Sequence, residues 1–126
     1  MKTLQVIASA YRCNIEEQDD PILWITHTMK GAGATLGVLF RGNAVNYAVK
    51  GQNAEGISFG SWKQSQPPRI EHDVKALIDK GIDVHLVAED ATDRGIQASD
   101  LLPGIKQVER AGIPMLFEQY DRIWHW

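Results

Sequence analysis

Between residues 70 and 88 the hydrophobic spacing switches from helical to extended, and that switch constrains the fold more than any other feature. Ile70, Val74, Leu77 and Ile78 recur at i, i+4, i+7 and i+8, the stripe of an amphipathic helix, with Gly81 placed to end it. Val84-His85-Leu86-Val87-Ala88 follows as a strand of buried character. The same alternation runs through the rest of the chain. Leu4 to Ala8 is a short apolar strand ending in the aperiodic stretch Ser9 to Asn14. Asp20-Pro21 supplies an N-cap and a first-turn proline for a helix carrying Ile22, Ile25 and Met29 and stopped at Gly31. Thr35 to Phe40 is the second strand, after which Asn43 is placed to cap a short helix bearing Val45, Ala48 and Val49, closed by Gly51. Beyond residue 88, Thr92 to Gly95 reads as one helical turn, Asp100 to Gly104 as a turn and Ile105 to Val108 as a short extended piece. Pro114 fits the first turn of a helix reaching Tyr120, and Arg122 to Trp126 form a terminal strand. Repeated β-α-β alternation predicts an α/β protein whose largely parallel sheet is covered on both faces.

Residues 50 to 68 break the rhythm. A loop of this length in a compact domain is a lid, a binding element or an excursion, although Gly56 to Phe59 has the composition of a small edge strand. With 126 residues and no linker or repeat, one domain over 1–126 is expected. A net charge of −3 gives no basic footprint for nucleic acid. No run of ~18 apolar residues is present to span a bilayer, and Met1 to Gln5 lead into a strand without a signal-type region, so no membrane partner and a cytoplasmic location are expected. The single cysteine, Cys13, excludes an internal disulfide and the multi-cysteine metal patterns.

Several features have ordinary structural explanations. The glycines between Gly31 and Gly37 follow a helix and precede a strand, the reverse of a phosphate-binding turn, and read as a helix stop with a tight connection. His27, His72, His85 and His125 show no i, i+4 pair, so no metal site is expected. Trp62, Trp124 and Trp126 are large apolar groups in places that one small domain does not readily bury, which points to subunit contact.

Against this frame, the tract from Ala76 to Trp126 resembles the carboxyl-terminal half of the DsrE/DsrF family, the sulfur-relay proteins related to the DsrEFH and TusBCD complexes. Lys80-Gly81-Ile82, Arg94-Gly95-Ile96 and above all Asp100-Leu101-Leu102-Pro103-Gly104-Ile105 carry the resemblance, and Val38 to Val49 resemble the family's second strand and following turn. Residues 9–30 and 50–66 match poorly. The resemblance implies a DsrE-like (flavodoxin-like) three-layer α/β/α fold of about five strands, assembled as a trimer or hexamer or with a cysteine-bearing paralogue. It implies partners among small sulfur species or sulfur-carrier proteins, and no cofactor.

The family carries a reactive cysteine where the third main strand ends, its thiolate stabilised by helix N–H groups. Ala88 stands there in this chain, and a methyl group holds no sulfur. Next to it, Asp90 is placed to cap the turn from Ala91 to Arg94. Glu89, Asp90 and Arg94 are therefore either a solvated turn with its cap or the polar lining of a crevice beyond the strand ends. Arg41 and Asn43, at the end of the second strand, are further candidates for that lining, although capping alone accounts for Asn43. His85, in mid-strand, either pairs with a neighbour's polar group or faces inward as a catalytic group. For sulfur chemistry the alternative is Cys13, which follows the first strand. A doubly wound order makes the first and third main strands neighbours and brings Cys13 near Ala88, with Arg12 lowering its thiol pKa. A non-catalytic binding or scaffold subunit and an active persulfide carrier or small-molecule enzyme, using Cys13 or the set Asp90, Arg94 and His85, both remain open on these residues.

Overall fold

The computed structural model describes residues 1–13 and 18–126. The elements in chain order are β1 (Lys2–Ile7), α1 (Pro21–Gly31), β2 (Thr35–Phe40), a 3-10 helix (Gly42–Ala48), β3 (Ser58–Phe59), β4 (Trp62–Lys63), α2 (Ile70–Asp79), β5 (Asp83–Val87), α3 (Ala88–Asp93), β6 (Lys106–Val108), α4 (Ile113–Phe117) and β7 (Arg122–His125). Five strands form the main sheet in the order β6-β5-β2-β1-β7, and every pairing in it is parallel.

Strand alternation sorts the apolar side chains between two faces. Ile7, Val38, Phe40, Val84 and Leu86 pack against α1, α2 and the 3-10 helix through Ile22, Leu23, Val45, Tyr47, Ile70, Val74 and Leu77. Leu4, Val6, Leu39 and Val87 point the other way and are covered chiefly by Leu116 of α4, with Ile113, Phe117 and Tyr120 around it. At ~1.5–3 kcal/mol for each fully buried aliphatic side chain, the first face supplies most of the stability. The thinner second face leaves Met115 71% and Ile123 38% exposed. Tyr120 fits only because β2 carries Gly37 below it, where a Cβ would lie 2.0 Å from the tyrosine oxygen.

The topology follows from crossover handedness. The chain steps from β1 to β2, β5 and β6 in one direction, so right-handed connections place α1 and α2 side by side on one face. The return to β7, beyond β1, places α4 on the other. The reversal comes only at the last strand, and this corrects the expectation that the first and third main strands adjoin: β2 lies between β1 and β5.

Local signals hold for α1, where Asp20 caps with its carboxylate on the N–H groups of Ile22 and Leu23 at 2.9 and 3.2 Å. Two other caps are corrected. The strand β5 runs straight into α3 at Ala88, so Asp90 lies inside the first turn and does not cap α3. Asn43 likewise lies inside the 3-10 helix, which has no side-chain cap. The expected edge strand near Gly56 is also corrected: Ser58–Phe59 pairs with Trp62–Lys63 in a separate hairpin. Asn14, the last residue of the expected loop after β1, lies outside the described residues.

Candidate functional site

The carboxyl ends of the strands carry two separate groups of residues. Ala88, the first residue of α3, borders shallow hollows of about 360 and 310 Å³ with Ala91, Thr92, Gln97 and Glu109 among their walls. The polar groups beside it are occupied by one another. Asp90 accepts the Gly42 N–H at 2.8 Å and the Arg110 guanidinium at 2.6 Å, with its side chain 16% exposed. Glu89 accepts the backbone N–H of Arg110 through both oxygens, at 2.8 and 2.9 Å. Arg94 donates to Asn43 Oδ1 at 2.8 and 3.3 Å and to the Asp90 carbonyl at 3.1 Å. Burial pushes the Asp90 carboxyl up, but Gly42, Arg110 and Arg94 more than offset it and leave it below the usual range. The cluster ties the β2, β5 and β6 ends together. Arg110 was absent from the sequence reading because its connection to Asp90 is purely tertiary, spanning 20 positions.

Cys13 belongs to a different hollow. It lines a mainly apolar depression of about 480 Å³ with Tyr11, Gln52, Asn53, Ala54, Pro68 and Ile70, and Ala88 is not part of it. Burial pushes the Cys13 thiol up, and the carboxylates of Asp20 and Asp73 push it further. The expected lowering by Arg12 is thus corrected: the Arg12 guanidinium turns instead to the Ser9 carbonyl at 3.4 Å. Beneath this hollow Asp20 is buried, accepting the Arg12 N–H at 3.2 Å and the Tyr47 hydroxyl as well as its two capping N–H groups. Tyr47 in turn packs edge-on against Tyr11 at 5.0 Å and stacks on Phe40 at 5.3 Å. Burial followed by Asp20 holds the Tyr47 phenol protonated far above its ordinary range.

His85 stands half-buried on the thin face of the sheet, in register with Leu39 and Lys106. Burial lowers its pKa, and its electrostatic neighbours are Asp83, which raises it, and Lys106. Among the described residues no hydrogen bond reaches the ring, so the expected polar pairing is corrected. Asp83 and Lys106 pair with each other instead, at 2.6 Å. Arg41 is exposed at the start of the 3-10 helix, contributing its backbone N–H to Ile7 at 3.0 Å.

The structure also brings together residues that the sequence had left scattered. Asp19, Leu23, Trp24 and His27 at α1 face His72, Asp73 and Ala76 of α2 across a cavity of about 230 Å³. Lys80 stitches the same two helices, its Nζ lying 3.0 Å from the His27 carbonyl oxygen. The signal was topological: successive right-handed crossovers in one direction make α1 and α2 neighbours. Among the described residues no three His, Cys, Asp or Glu are disposed to hold a metal ion, and no helix is long and apolar enough to cross a membrane.

No family model and no curated protein matches the sequence. Solved structures do match. The YchN protein of E. coli aligns over 100% of both chains with a TM-score of 0.73 at 15% identity. A conserved protein of unknown function from Bacteroides thetaiotaomicron, BT1422, aligns with 98% of this chain and 94% of its own at TM-score 0.66 and 13% identity. A protein of unknown function from Methanobacterium thermoautotrophicum, MTH1491, aligns over 98% and 96% at TM-score 0.59 and 13% identity. At such identities the likeness concerns the fold alone. The chain has the DsrE-like α/β architecture, a five-stranded parallel sheet with helices on both sides.

Proposed function

We propose that the chain is a divergent DsrE/DsrF-like protein of intracellular sulfur relay, acting as a binding or scaffold subunit that carries no sulfur itself. The resemblance through Arg94-Gly95-Ile96 and Asp100 to Ile105 supplies the class, and the shared fold supports it. The observation that carries the non-covalent role is Ala88 at the junction of β5 and α3, where the relay thiolate would stand. No nucleophilic atom is there, and Glu89, Asp90 and Arg94 are spent on one another's neighbours. On this reading the single domain assembles with copies of itself, as a trimer or hexamer, or with a cysteine-bearing paralogue in the cytoplasm. The hollows beside Ala88, lined by Glu89, Thr92, Gln97 and Glu109, meet a small sulfur species or the carrier protein without a covalent bond.

A carrier role for Cys13 requires a thiolate, since the thiolate is the sulfur nucleophile. Burial and two carboxylates work against that form. Intact-mass measurement after incubating the folded protein with a low-molecular-weight persulfide at neutral pH separates the readings. The natural chain and Cys13→Ser are expected to keep their masses. Gain of one sulfur atom by the natural chain and not by Cys13→Ser overturns the scaffold reading in favour of a carrier on Cys13.

A further inference from the structure

The hairpin of β3 and β4 stands clear of both cores. Ser58 pairs with Lys63 and Phe59 with Trp62, and Gly60 at φ +58° opens the two-residue turn between them. Alternation along the two strands sorts the side chains. Ile57, Phe59 and Trp62 share one face, with the Phe59 and Trp62 rings stacked at 6.0 Å, and Ser58 and Lys63 take the other. That apolar face is turned to solvent: Ile57 is 41%, Phe59 62% and Trp62 46% exposed, and no residue from Ile57 to Lys63 is buried. A two-stranded ribbon alone is at best marginal in water, so an amphipathic one with its apolar face bare needs a backing layer.

Composition and charge choose that layer. Aromatic side chains with few charges among them are what the centre of a protein–protein contact carries. Between Gly51 and Pro68 the chain has one acid, Glu55, and one base, Lys63, so this arm is neutral in a chain of net charge −3. Two copies, which repel as wholes, meet here without that penalty. Neither Glu55 nor Lys63 has an ion-pair partner among the described residues. They stand toward opposite ends of the ribbon, Lys63 next to the Phe59–Trp62 pair and Glu55 beyond Ile57, whose carbonyl takes the Gln64 N–H at 2.8 Å. A two-fold axis perpendicular to the ribbon therefore sets Lys63 of each copy toward Glu55 of the other.

We propose that the chain pairs with a second copy of itself through this hairpin, the two apolar faces stacked antiparallel and Lys63 of one copy against Glu55 of the other. The area sets the strength. Taking ~150–250 Å² for a whole large side chain, the exposed fractions of the three leave about 300 Å² per copy. At the ~60% apolar share of an interface, two copies bury about 1,000 Å² in all, the floor for a specific contact. A weak, reversible pairing is expected. The proposal rests only on the self-association part of the reading above and involves no sulfur, so its failure leaves the mass test on Cys13 unchanged.

The test is sedimentation equilibrium of the full chain from ~10 µM to ~1 mM, the range of a contact this small. Across it the weight-average mass is expected to double from its dilute value. Phe59 and Trp62 lie outside the core, so Phe59→Ser and Trp62→Ser keep the fold, and each should weaken the pairing at least tenfold by removing an aromatic anchor. Lys63→Glu and Glu55→Lys should each weaken it about fivefold, and the two substitutions together should restore it, the pair re-forming with its signs exchanged. A mass constant up to ~1 mM overturns the proposal and leaves the face to a different protein. A doubling that survives Trp62→Ser overturns it by moving self-association to another surface. A double charge variant that pairs no more tightly than either single one overturns the antiparallel arrangement.

Discussion

Asp73 and Asp90 both stand in the first turn of a helix, where the dipole favours an anion, yet their surroundings are opposite. Asp90 accepts from Gly42 and Arg110, and its carboxyl is held below the ordinary range. Asp73 has an oxygen buried without a donor among the described residues, and its carboxyl is held above it. The difference separates what a charged residue does for the fold from what it withholds. Asp90 joins the ends of β2, β5 and β6, so it and its partners are spent on holding the sheet edge together. Asp73 ties no elements together through its shielded oxygen among the described residues, and burial with the Asp19 charge outweighs His72 and Arg69, the cations that favour its ionised form. The polar cluster beside Ala88 is thus chemically settled, and the less favoured charge lies between two helices away from it.

Asp20 extends the paired side of this comparison to full burial. It satisfies two helix N–H groups, the Arg12 N–H and the Tyr47 hydroxyl from a position only 1% exposed. Asp20→Ala removes a cap and leaves a buried phenol unpaired, so a loss of about 3 kcal/mol in urea unfolding is expected. A loss under ~1 kcal/mol would show that water replaces the carboxylate there. Asp90→Ala should cost less, about 1–2 kcal/mol, because the Arg110 partner is 57% exposed and the Gly42 N–H carries most of the effect. The folded value of Asp90 is depressed, so its contribution is present above the unfolded-state pKa of ~3.9 and is lost as pH falls through the lower folded value. The gap between the natural chain and Asp90→Ala should therefore hold from neutral pH to about 5 and close below about 4. A gap unchanged at pH 3 would mean that charge plays no part in it.

The elements were legible in the sequence because their signals are local. Ile70, Val74, Leu77 and Ile78 line up on a helix whatever surrounds them, and Asp20-Pro21 caps α1 by contacts within three residues. Position 88 was legible too, since Ala88 follows directly on the buried strand. Roles decided by distant partners were not. Asp90 has the composition of a cap, but its partner is Gly42, 48 positions away. Asn43 was misread in the same way, its oxygen going to Arg94 across 51 positions. The nearness assigned to Cys13 and Ala88 failed on strand order, which depends on crossover direction and leaves no trace in side-chain spacing. That same order set His27 opposite His72 and created a cavity that no local pattern announces.

The smallest expected effect is the one that bears most directly on the contrast between the two acids. Removing a charge that the fold does not pair should stabilise, not destabilise, so Asp73→Asn is expected to gain on the order of 0.5 kcal/mol at pH 7. The sign of its pH dependence is opposite to that of Asp90. With the folded pKa raised, the natural chain is penalised once the unfolded state ionises, and the penalty grows from the unfolded-state value of ~3.9 up through the folded one. The gain from Asp73→Asn should therefore grow as pH rises past about 4 and vanish below it, where the Asp90→Ala loss also disappears. A gain that persists unchanged at pH 3 would mean that the charge of Asp73 plays no part in it.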